Sequence, residues 1–329
     1  MERIPLVTFI IINWNGDNFV QDCIHSILKQ TYKNIEIIVV DNGSTDYSPI
    51  LIERMTHYIP NLHLIKNDKN VGFAAACNIG IKRASGDFIV CINNDAILDQ
   101  NWLTEVIKEV LYSKEIAIAS GPIFYYMDPS LIWSFGAKFD CVSGFSWNLG
   151  QKEYFFQTEE IDYLSGCVML IRKECLSKIG LFDEKFFLYD DDIDICFRAK
   201  YKGYHLAFVP KALAWHRVSE GKKKMPYKVY YYKMRSDLRF CFKHLDVQYI
   251  LSSLFFHVIS YIADMLFFRR NPLYFLFAIK AFLWNLINLH ETFRARAIVR
   301  YKALWKPKNR WNEFINVVKD RLIRHETFW

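Results

Sequence analysis

Two kinds of segment alternate along the first hundred residues. Val7–Ile12 is a run of apolar and β-branched residues, the composition of a strand buried on both faces. In Phe19–Lys29 the apolar positions Val20, Cys23, Ile24, Ile27 and Leu28 recur at helical spacing, which predicts a helix with one apolar face. The alternation continues with strands at Ile35–Val40, Leu62–Lys66 and Asp87–Ile92, and helices at Ser48–Tyr58, Phe73–Ala84 and Trp102–Leu111. Strands and helices in this order, with short connections, predict right-handed βαβ units and a parallel sheet covered on both faces. Ligands of such sheets lie beyond the carboxyl ends of the strands. Three polar clusters fall at those ends: Asn13–Asn15, Asp41–Asp46 and Asn93–Asp95.

Further along, the pattern loosens. Residues 112–170 mix Gly, Pro and aromatic turns and predict short mixed strands. Asp183–Ala199 starts acidic and becomes helical. Leu206–Val209 predicts a short strand leading to Pro210 and, six residues on, to His216. Near residue 222 the character changes. Residues 1–221 carry 21 Lys/Arg against 28 Asp/Glu, a balance of −7; residues 222–329 carry 21 against 7, a balance of +14. The expected organisation is therefore one domain over 1–221 and a basic, aromatic, helical region over 222–329.

Two stretches of that second region are strongly apolar, Tyr249–Phe268 and Leu273–Leu289, separated by Arg269-Arg270-Asn271-Pro272. The first is about long enough to span a bilayer. Yet Ser253, His257, Ser260 and Asp264 form one polar stripe on it, and Lys280, Asn285 and Asn288 lie roughly on one side of the second. A helical hairpin is expected. Lys222–Lys224, Arg294, Arg296, Arg300, Lys302, Lys306 and Lys308 surround it with positive charge. An interfacial membrane anchor or lipid-acceptor site suits this pattern better than spanning helices, because Asp264 and Lys280 are costly at bilayer depth. A self-association face that makes a homo-oligomer is the other reading. Nucleic acid is not an expected partner, since the basic residues frame a greasy hairpin and no recognised module is present.

Composition narrows the class further. Just over half of the 329 residues are apolar, which excludes extended disorder. The eight cysteines form no CxxC pair and several sit inside apolar runs, as buried thiols in a reducing compartment do. Leu6–Ile12 is short and runs straight into Asn13-Trp14-Asn15-Gly16, so a strand is expected there, not a secretory leader.

Three constellations offer chemistry. Asn93-Asn94-Asp95 closes a buried strand with oxygen donors suited to a hard divalent cation, although the same residues suit an ordinary turn. Asp190-Asp191-Asp192-Ile193-Asp194 crowds four carboxylates into five residues. A helix start can absorb part of that repulsion, and crowding raises a carboxyl pKa toward that of a general base; pairing with Arg198 and Lys200 is the plainer reading. His216 alone is an unremarkable residue; beside Asp95 it could complete a metal shell.

Taken together, these blocks carry a resemblance. Val7-Thr8-Phe9-Ile10-Ile11-Ile12-Asn13-Trp14-Asn15-Gly16 and Val39-Val40-Asp41-Asn42-Gly43-Ser44-Thr45-Asp46 resemble the opening of family-2 inverting glycosyltransferases of the GT-A fold. The likeness continues through Asn70-Val71-Gly72-Phe73-Ala74-Ala75-Ala76-Cys77-Asn78-Ile79-Gly80, Ile92-Asn93-Asn94-Asp95-Ala96 and Phe187-Leu188-Tyr189-Asp190-Asp191-Asp192-Ile193-Asp194-Ile195-Cys196-Phe197-Arg198, and covers roughly residues 5–221. The rhamnosyltransferase-like branch is the nearest in flavour.

The resemblance implies an α/β, Rossmann-like nucleotide-sugar-binding domain with a mixed central sheet. It implies Asn13, Asn15, Asp41, Asn70, Gly72, Phe73, Asn78 and Asn94 around the donor, and Asp95, His216 and Asn93 around a Mg²⁺ or Mn²⁺ ion. It makes Asp192 the general base, with Asp191 as the alternate. Asn93 departs from the family's DxD-type motif, which leaves one strong carboxylate there. The implied reaction passes a sugar from a nucleotide-diphosphate donor, dTDP-rhamnose among them, to a hydroxyl of a glycan or lipid-linked glycan acceptor in cell-surface polysaccharide or glycoprotein glycan synthesis. The implied location is cytoplasmic, on the inner face of the cell membrane. A polyprenyl-phosphate glycosyltransferase and an inactive nucleotide-sugar- or membrane-binding scaffold are the alternatives. A dinucleotide oxidoreductase is disfavoured, since no GxGxxG follows the first strand.

Overall fold

The computed structural model describes residues 3–149, 161–217, 226–263 and 272–323. The chain divides into two compact units. One comprises residues 1–137, 148–187 and 191–220; the other comprises 138–147, 188–190 and 221–329. The expected boundary at 221/222 lies outside the described residues. Two segments that the sequence reading assigned to the catalytic part, 138–147 and 188–190, group with the helical unit.

The first unit is built on a seven-stranded sheet. Its strands are β1 (Val7–Asn13), β2 (Ile35–Asp41), β3 (Leu62–Lys66), β4 (Phe88–Asn93), β6 (Ile116–Ser120), β11 (Val168–Arg172) and β12 (His205–Phe208), in the order β12-β6-β11-β4-β1-β2-β3. β1 pairs in parallel with β2 and β4, so that Asn13 stands beside Asp41 and Ile12 beside Asn93. β11 runs antiparallel to both β4 and β6, which makes the sheet mixed. Side chains of β1 alternate between two cores, as the pleat requires. Phe9 and Ile11 pack with α1 (Val20–Leu28), α2 (Ser48–Thr56) and α4 (Trp102–Tyr112), while Ile10 and Ile12 pack with α3 (Phe73–Arg83), α5 (Leu176–Ile179) and α6 (Asp191–Tyr201). That two-sided burial is why β1, β2 and β4 read as unbroken apolar runs.

A smaller sheet, in the order β5-β13-β7-β8, joins β5 (Ala96–Leu98), β13 (Ala214–His216), β7 (Ile123–Tyr125) and β8 (Ile132–Ser134). β13 lies antiparallel to β5 with His216 opposite Ala96. His216 is thus within a strand, and the stretch expected to start acidic and become helical, Asp183–Ala199, turns helical at Asp191.

The second unit contains residues 138–147, all but the end residues of a hairpin of β9 (Ala137–Phe139) and β10 (Ser146–Asn148), and the helices α7 (Tyr227–His244), α8 (Val247–Ala263), α9 (Pro272–Ile287), α10 (Leu289–Arg300) and α11 (Trp311–Ile323). Polar groups knit its interior. Arg239 Nη1 donates to Thr292 Oγ1 at 2.8 Å, and Asn285 Nδ2 donates to the Arg235 carbonyl at 3.0 Å. α8 is turned inside out: Ser253 and His257 of its polar stripe are buried, while Leu251, Phe255 and Val258 are exposed. On α9, Asn285 is buried while Phe275, Leu276, Leu283 and Ile287 face outward. An apolar cavity of about 500 Å³ opens among α7, α8 and α9, lined by Leu238, His257, Tyr261, Tyr274 and Phe282 among others. Among the described residues no single helix is long and apolar enough to cross a membrane; α9 and α10, bent by 63° at their junction, reach that length only as a pair. Asp264, Lys222–Lys224, Arg269, Arg270 and Asn271 lie outside the described residues.

Candidate active site

The carboxyl ends of β1, β2 and β4 meet at a buried amide. Asn13, fully buried, donates from Nδ2 to Asp41 Oδ1 and Ser48 Oγ, both at 2.8 Å, and to Ser44 Oγ at 3.2 Å. Its Oδ1 accepts from Asn94 Nδ2 at 2.9 Å. The second Asp41 oxygen accepts from the Ser44 amide at 3.2 Å. Asn15, in the left-handed region at φ 52°, closes the rim: its amide donates to Ser44 Oγ and its Oδ1 accepts from the Thr45 amide. Gly16 permits this closeness, because a Cβ there would stand 2.1 Å from Asn94 Nδ2. Asp46 completes the turn. Burial opposes its charge, but hydrogen bonds from Ser48 and from the Asp17 and Ser48 amides prevail and hold its pKa below the usual range.

A second amide cluster adjoins the first. Asn42, next to Asp41, donates to Asn70 Oδ1 at 3.1 Å and to the Gly72 carbonyl at 3.2 Å, and accepts from the Val71 amide at 3.0 Å. Gly72 has φ 91°, and a Cβ on it would meet the Phe187 carbonyl at 2.7 Å; the Phe73 amide donates to that same carbonyl at 3.0 Å. The 70–73 loop is thereby tied to the approach to the acidic segment. Asn78 does not join the cluster. Its amide nitrogen donates to the Phe182 carbonyl and Glu184 Oε1, its oxygen accepts from the Phe182 amide, and it is buried.

Beyond Asn94 comes the pair suited to a cation. His216 Nε2 and Asp95 Oδ1 lie 3.1 Å apart, with side chains 11% and 25% exposed. Two neighbouring ligands held at right angles on a hard cation, at about 2.1 Å each, stand about 3 Å apart. The spacing therefore fits two adjacent coordination positions. The Trp133 ring meets the imidazole edge-on at 4.5 Å and fixes its plane, and His216 Nδ1 is buried with no hydrogen-bond partner. Among the described residues no three His, Cys, Asp or Glu side chains cluster as a metal site. Asn93, the third expected ligand, ends β4 two residues before Asp95, and its carbonyl accepts from Cys23 Sγ at 3.5 Å.

The acidic segment reaches the same place through β11. The Asn93 amide donates to the Cys167 carbonyl at 2.9 Å, and the preceding Gly166 amide donates to Asp192 Oδ2 at 2.8 Å. The Cys167 thiol registers both sides: burial raises its pKa, and the Asp95 and Asp192 carboxylates add to that. The Ile193 amide donates to Asp192 Oδ1 at 2.8 Å, so Asp192 heads α6 with each oxygen on a backbone N–H. Asp191 points into the protein. Burial, then the neighbouring Asp192 and Asp194 charges, push its carboxyl well above the usual range, and its Oδ2 has no hydrogen-bond partner. Asp194 is neutralised by Arg198 at 2.8 Å in full burial. Just before the helix, Tyr189 and Asp190 are both left-handed, at φ 67° and 62°. Such backbone costs about 1–2 kcal/mol per non-glycine residue and persists where surroundings fix it.

Of the expected residues, Asn13, Asn15, Asp41, Asn94, Asp95, His216, Asn93 and Asp192 converge around the end of β4, and Asn70, Gly72 and Phe73 adjoin them. Ser44, Ser48 and Gly16 carry the network as well; Ser44 and Gly16 lie inside the matching blocks, and Ser48 opens the helix expected over Ser48–Tyr58. Arg217, not expected, flanks the pair: it is bonded to Asp22 at 2.7 Å and lies over the Tyr126 ring at 4.2 Å.

Comparison with known proteins bears on the family and the fold. The family model described as Glycosyl transferase family 2 matches residues 8–180. An uncharacterized glycosyltransferase of Haemophilus influenzae is 34% identical over 107 residues, 32% of this chain and 33% of that protein, so the chain spans about a third of that relative's length. Among solved structures, GalNAc-T7 with UDP, GalNAc and Mn²⁺ superposes with a TM-score of 0.64 at 15% identity, over 98% of this chain and 59% of that one. The mannosyltransferase PcManGT from Pyrobaculum calidifontis, in complex with GDP-Man and Mn²⁺, superposes with a TM-score of 0.55 at 17% identity, over 95% and 89%. At such low identity these two likenesses establish the fold, a GT-A-like arrangement.

Proposed function

The chain belongs to glycosyl transferase family 2, and from that membership we propose that it passes a sugar from a nucleoside-diphosphate donor to an acceptor hydroxyl, inverting the anomeric carbon with the aid of one Mg²⁺ or Mn²⁺ ion. The observation that carries this reading is the meeting of Asp95, His216 and Asp192 around the end of β4, beside the Asn13–Asp41 network. The Mn²⁺ and nucleotides bound to the two structural neighbours support the same chemistry.

Each residue has a part in it. Asn13, Asn15, Asp41 and Asn94 shape the nucleotide pocket, with Asn70, Gly72 and Phe73 forming its adjoining wall. Asp95 and His216 hold the cation, with Asn93 beside them. The cation supplies positive charge to the leaving diphosphate, which otherwise departs as a poor leaving group. Asp192 takes the acceptor's proton as the new bond forms. Its two backbone N–H bonds hold it in place, whereas Asp191 faces inward, its carboxyl pushed up by burial, and is the weaker candidate.

The second unit fits a membrane-facing role. α8 and α9 turn apolar side chains outward and polar ones inward, the reverse of a water-facing helix. We place them on the anionic inner face of the cell membrane, with a lipid-linked glycan as acceptor. The apolar cavity among α7, α8 and α9 favours one second reading, a polyprenyl-phosphate acceptor. A face shared between copies of the chain is the competing use of the same surface.

The test is nucleoside-diphosphate release from a panel of dTDP-rhamnose, UDP-hexoses and GDP-mannose, with Mg²⁺ or Mn²⁺, with and without EDTA, beside Asp95→Ala and Asp192→Ala. Metal-dependent turnover of one donor, lost in both variants, establishes the reaction. The absence of metal-dependent binding to every donor, read by calorimetry, overturns it. Binding without turnover, even with polyprenyl phosphate or glycan acceptors supplied, favours an inactive scaffold.

A further inference from the structure

The residue after His216 holds the chain on both sides of the proposed metal pair. The Arg217 amide donates to the Asp95 carbonyl at 2.9 Å, so the backbone of one partner is tied to the residue next to the other. The Arg217 guanidinium reaches α1: Nη2 bonds to Asp22 Oδ2 at 2.7 Å, and Nη1 donates to the Asn18 carbonyl at 3.4 Å. It also lies over the Tyr126 ring, 4.2 Å from the ring centre, and the Tyr126 amide donates to the His216 carbonyl at 3.0 Å. The far end of this connection is itself fixed, since the Gly16 carbonyl accepts from the Phe19 and Val20 amides where α1 begins. β13 and β5 are only three residues each, against a usual strand of about five or six, so their ladder offers few bonds to hold the strand end by itself.

We propose that Arg217 is a positioning residue: it straps the end of β13 to α1 and to Tyr126, and so holds His216 and Asp95 at the spacing a cation needs. The inference rests on the proposed role of that pair as the cation's protein ligands. Arg217 is not itself a ligand, because a guanidinium carries donors only and does not lose its proton. What it supplies is a fixed strand end. The two ligating atoms, 3.1 Å apart, belong to residues that Arg217 joins, one through a peptide bond and the other through a hydrogen bond. Removing a group that orients metal ligands in this way typically lowers metal affinity by about 10–100-fold. Lysine takes the part incompletely: its single ammonium can bond Asp22, but it has no planar fork to lay on the Tyr126 ring. The strap also links the nucleotide rim at Gly16 and Asn18 to the metal pair.

The experiment compares the whole chain with Arg217→Met, Arg217→Lys, Asp22→Asn, His216→Ala and the Arg217→Met/His216→Ala double variant. Mn²⁺ affinity in the presence of UDP is read by calorimetry. Hydrogen exchange of peptides covering residues 123–127 and 212–217, which hold the Tyr126 and Arg217 amides, is read by mass spectrometry without metal. Arg217→Met is expected to speed exchange in both peptides and to weaken Mn²⁺ binding about tenfold or more. Arg217→Lys is expected to restore part of each. Asp22→Asn, at a side chain 52% exposed and therefore harmless to the core, should move both readings the same way by less. In the His216→Ala background Arg217→Met should cost less Mn²⁺ affinity than in the wild type, because one of the two ligands it positions is gone. Unchanged exchange in Arg217→Met overturns the inference. So does undiminished Mn²⁺ affinity in Arg217→Met where His216→Ala has lost it. Mn²⁺ affinity untouched in His216→Ala as well defeats the metal assignment separately and leaves the exchange data to judge the strap.

Discussion

His216 Nε2 lies 3.1 Å from Asp95 Oδ1 although 121 residues separate the two in the chain. The antiparallel pairing of β13 with β5 sets this meeting, since His216 stands opposite Ala96, the neighbour of Asp95. On the proposed role of the pair, removing either side chain takes away one of the cation's two protein ligands. Asp95→Ala and His216→Ala are each expected to lower turnover by about 10²–10³-fold, the usual cost of losing one electrostatic stabiliser. Calorimetric titration of Mn²⁺ in the presence of UDP checks the cause: affinity should fall in both variants, and a variant with unaltered Mn²⁺ affinity would remove its residue from the metal shell.

Asp192→Asn preserves shape and removes the proton acceptor. Turnover is expected to fall by about 10²–10⁴-fold. Donor affinity should stay as in the wild type, because the side chain accepts from the Gly166 and Ile193 amides and the substitution keeps an oxygen there. A variant that loses donor binding along with turnover would point to collapse of the α6 start instead.

Asp191 makes stability depend on pH. Its folded pKa lies above its unfolded value, so the native state binds the proton more tightly. That stabilisation is fully present below the unfolded value near 4, and is lost as pH rises toward the folded value. Asp191→Asn abolishes the dependence. The melting temperature of the wild type relative to Asp191→Asn should therefore decline steadily as pH is raised from about 4. A flat difference would show that the carboxyl is not held protonated.

Asn78 serves the fold. Asn78→Ala strands the Phe182 amide and carbonyl in a buried place and should cost about 1–3 kcal/mol of stability in urea unfolding. Donor affinity measured well below the new melting point should not change. A selective loss of donor affinity would return Asn78 to the pocket where the family resemblance puts it.

The outward apolar face of α8 is expected to bind anionic vesicles. Flotation with phosphatidylglycerol vesicles should be strong, should weaken with salt, and should be poor with phosphatidylcholine alone. Leu251→Asp and Phe255→Asp, exposed at 75% and 60%, should each weaken binding tenfold or more, since burying such a side chain is worth about 1.5–3 kcal/mol. If the face instead joins two copies of the chain, sedimentation will show a dimer that these substitutions dissociate, with no vesicle binding.

How far the sequence disclosed this structure depended on how local each signal was. β1, β2 and β4 are buried on both faces, so their apolar runs announce them and mark Asn13, Asp41 and Asn93 at their ends. The helix Phe73–Arg83 was equally plain, yet the role of Asn78 within it was not: its partners Phe182 and Glu184 lie more than a hundred residues away, and no spacing encodes that meeting. The polar stripe on α8 was visible as a pattern. That Ser253 and His257 face inward is a matter of which neighbours cover them, and periodicity alone does not distinguish the two faces of a helix. Likewise Tyr189 and Asp190 read as the start of an acidic helix, because nothing in their side chains signals a left-handed backbone.

The antiparallel course of β11 has one more consequence. Residues 7–95 bring the nucleotide-side groups to the site from strand ends, whereas Gly166, Asp192 and His216 arrive from a later, separate stretch. The Asn13–Asp41 network and Asp192 are thus written in different contiguous parts of the gene, while the Asp95–His216 pair draws on both. Lys114 and Glu115, exposed between α4 and β6, offer a natural crossover between them. A chimaera joined there would set one parent's Asn13–Asp41 network beside the other's Asp192, and the meeting of Asp95 with His216 is what the two halves would have to keep in common.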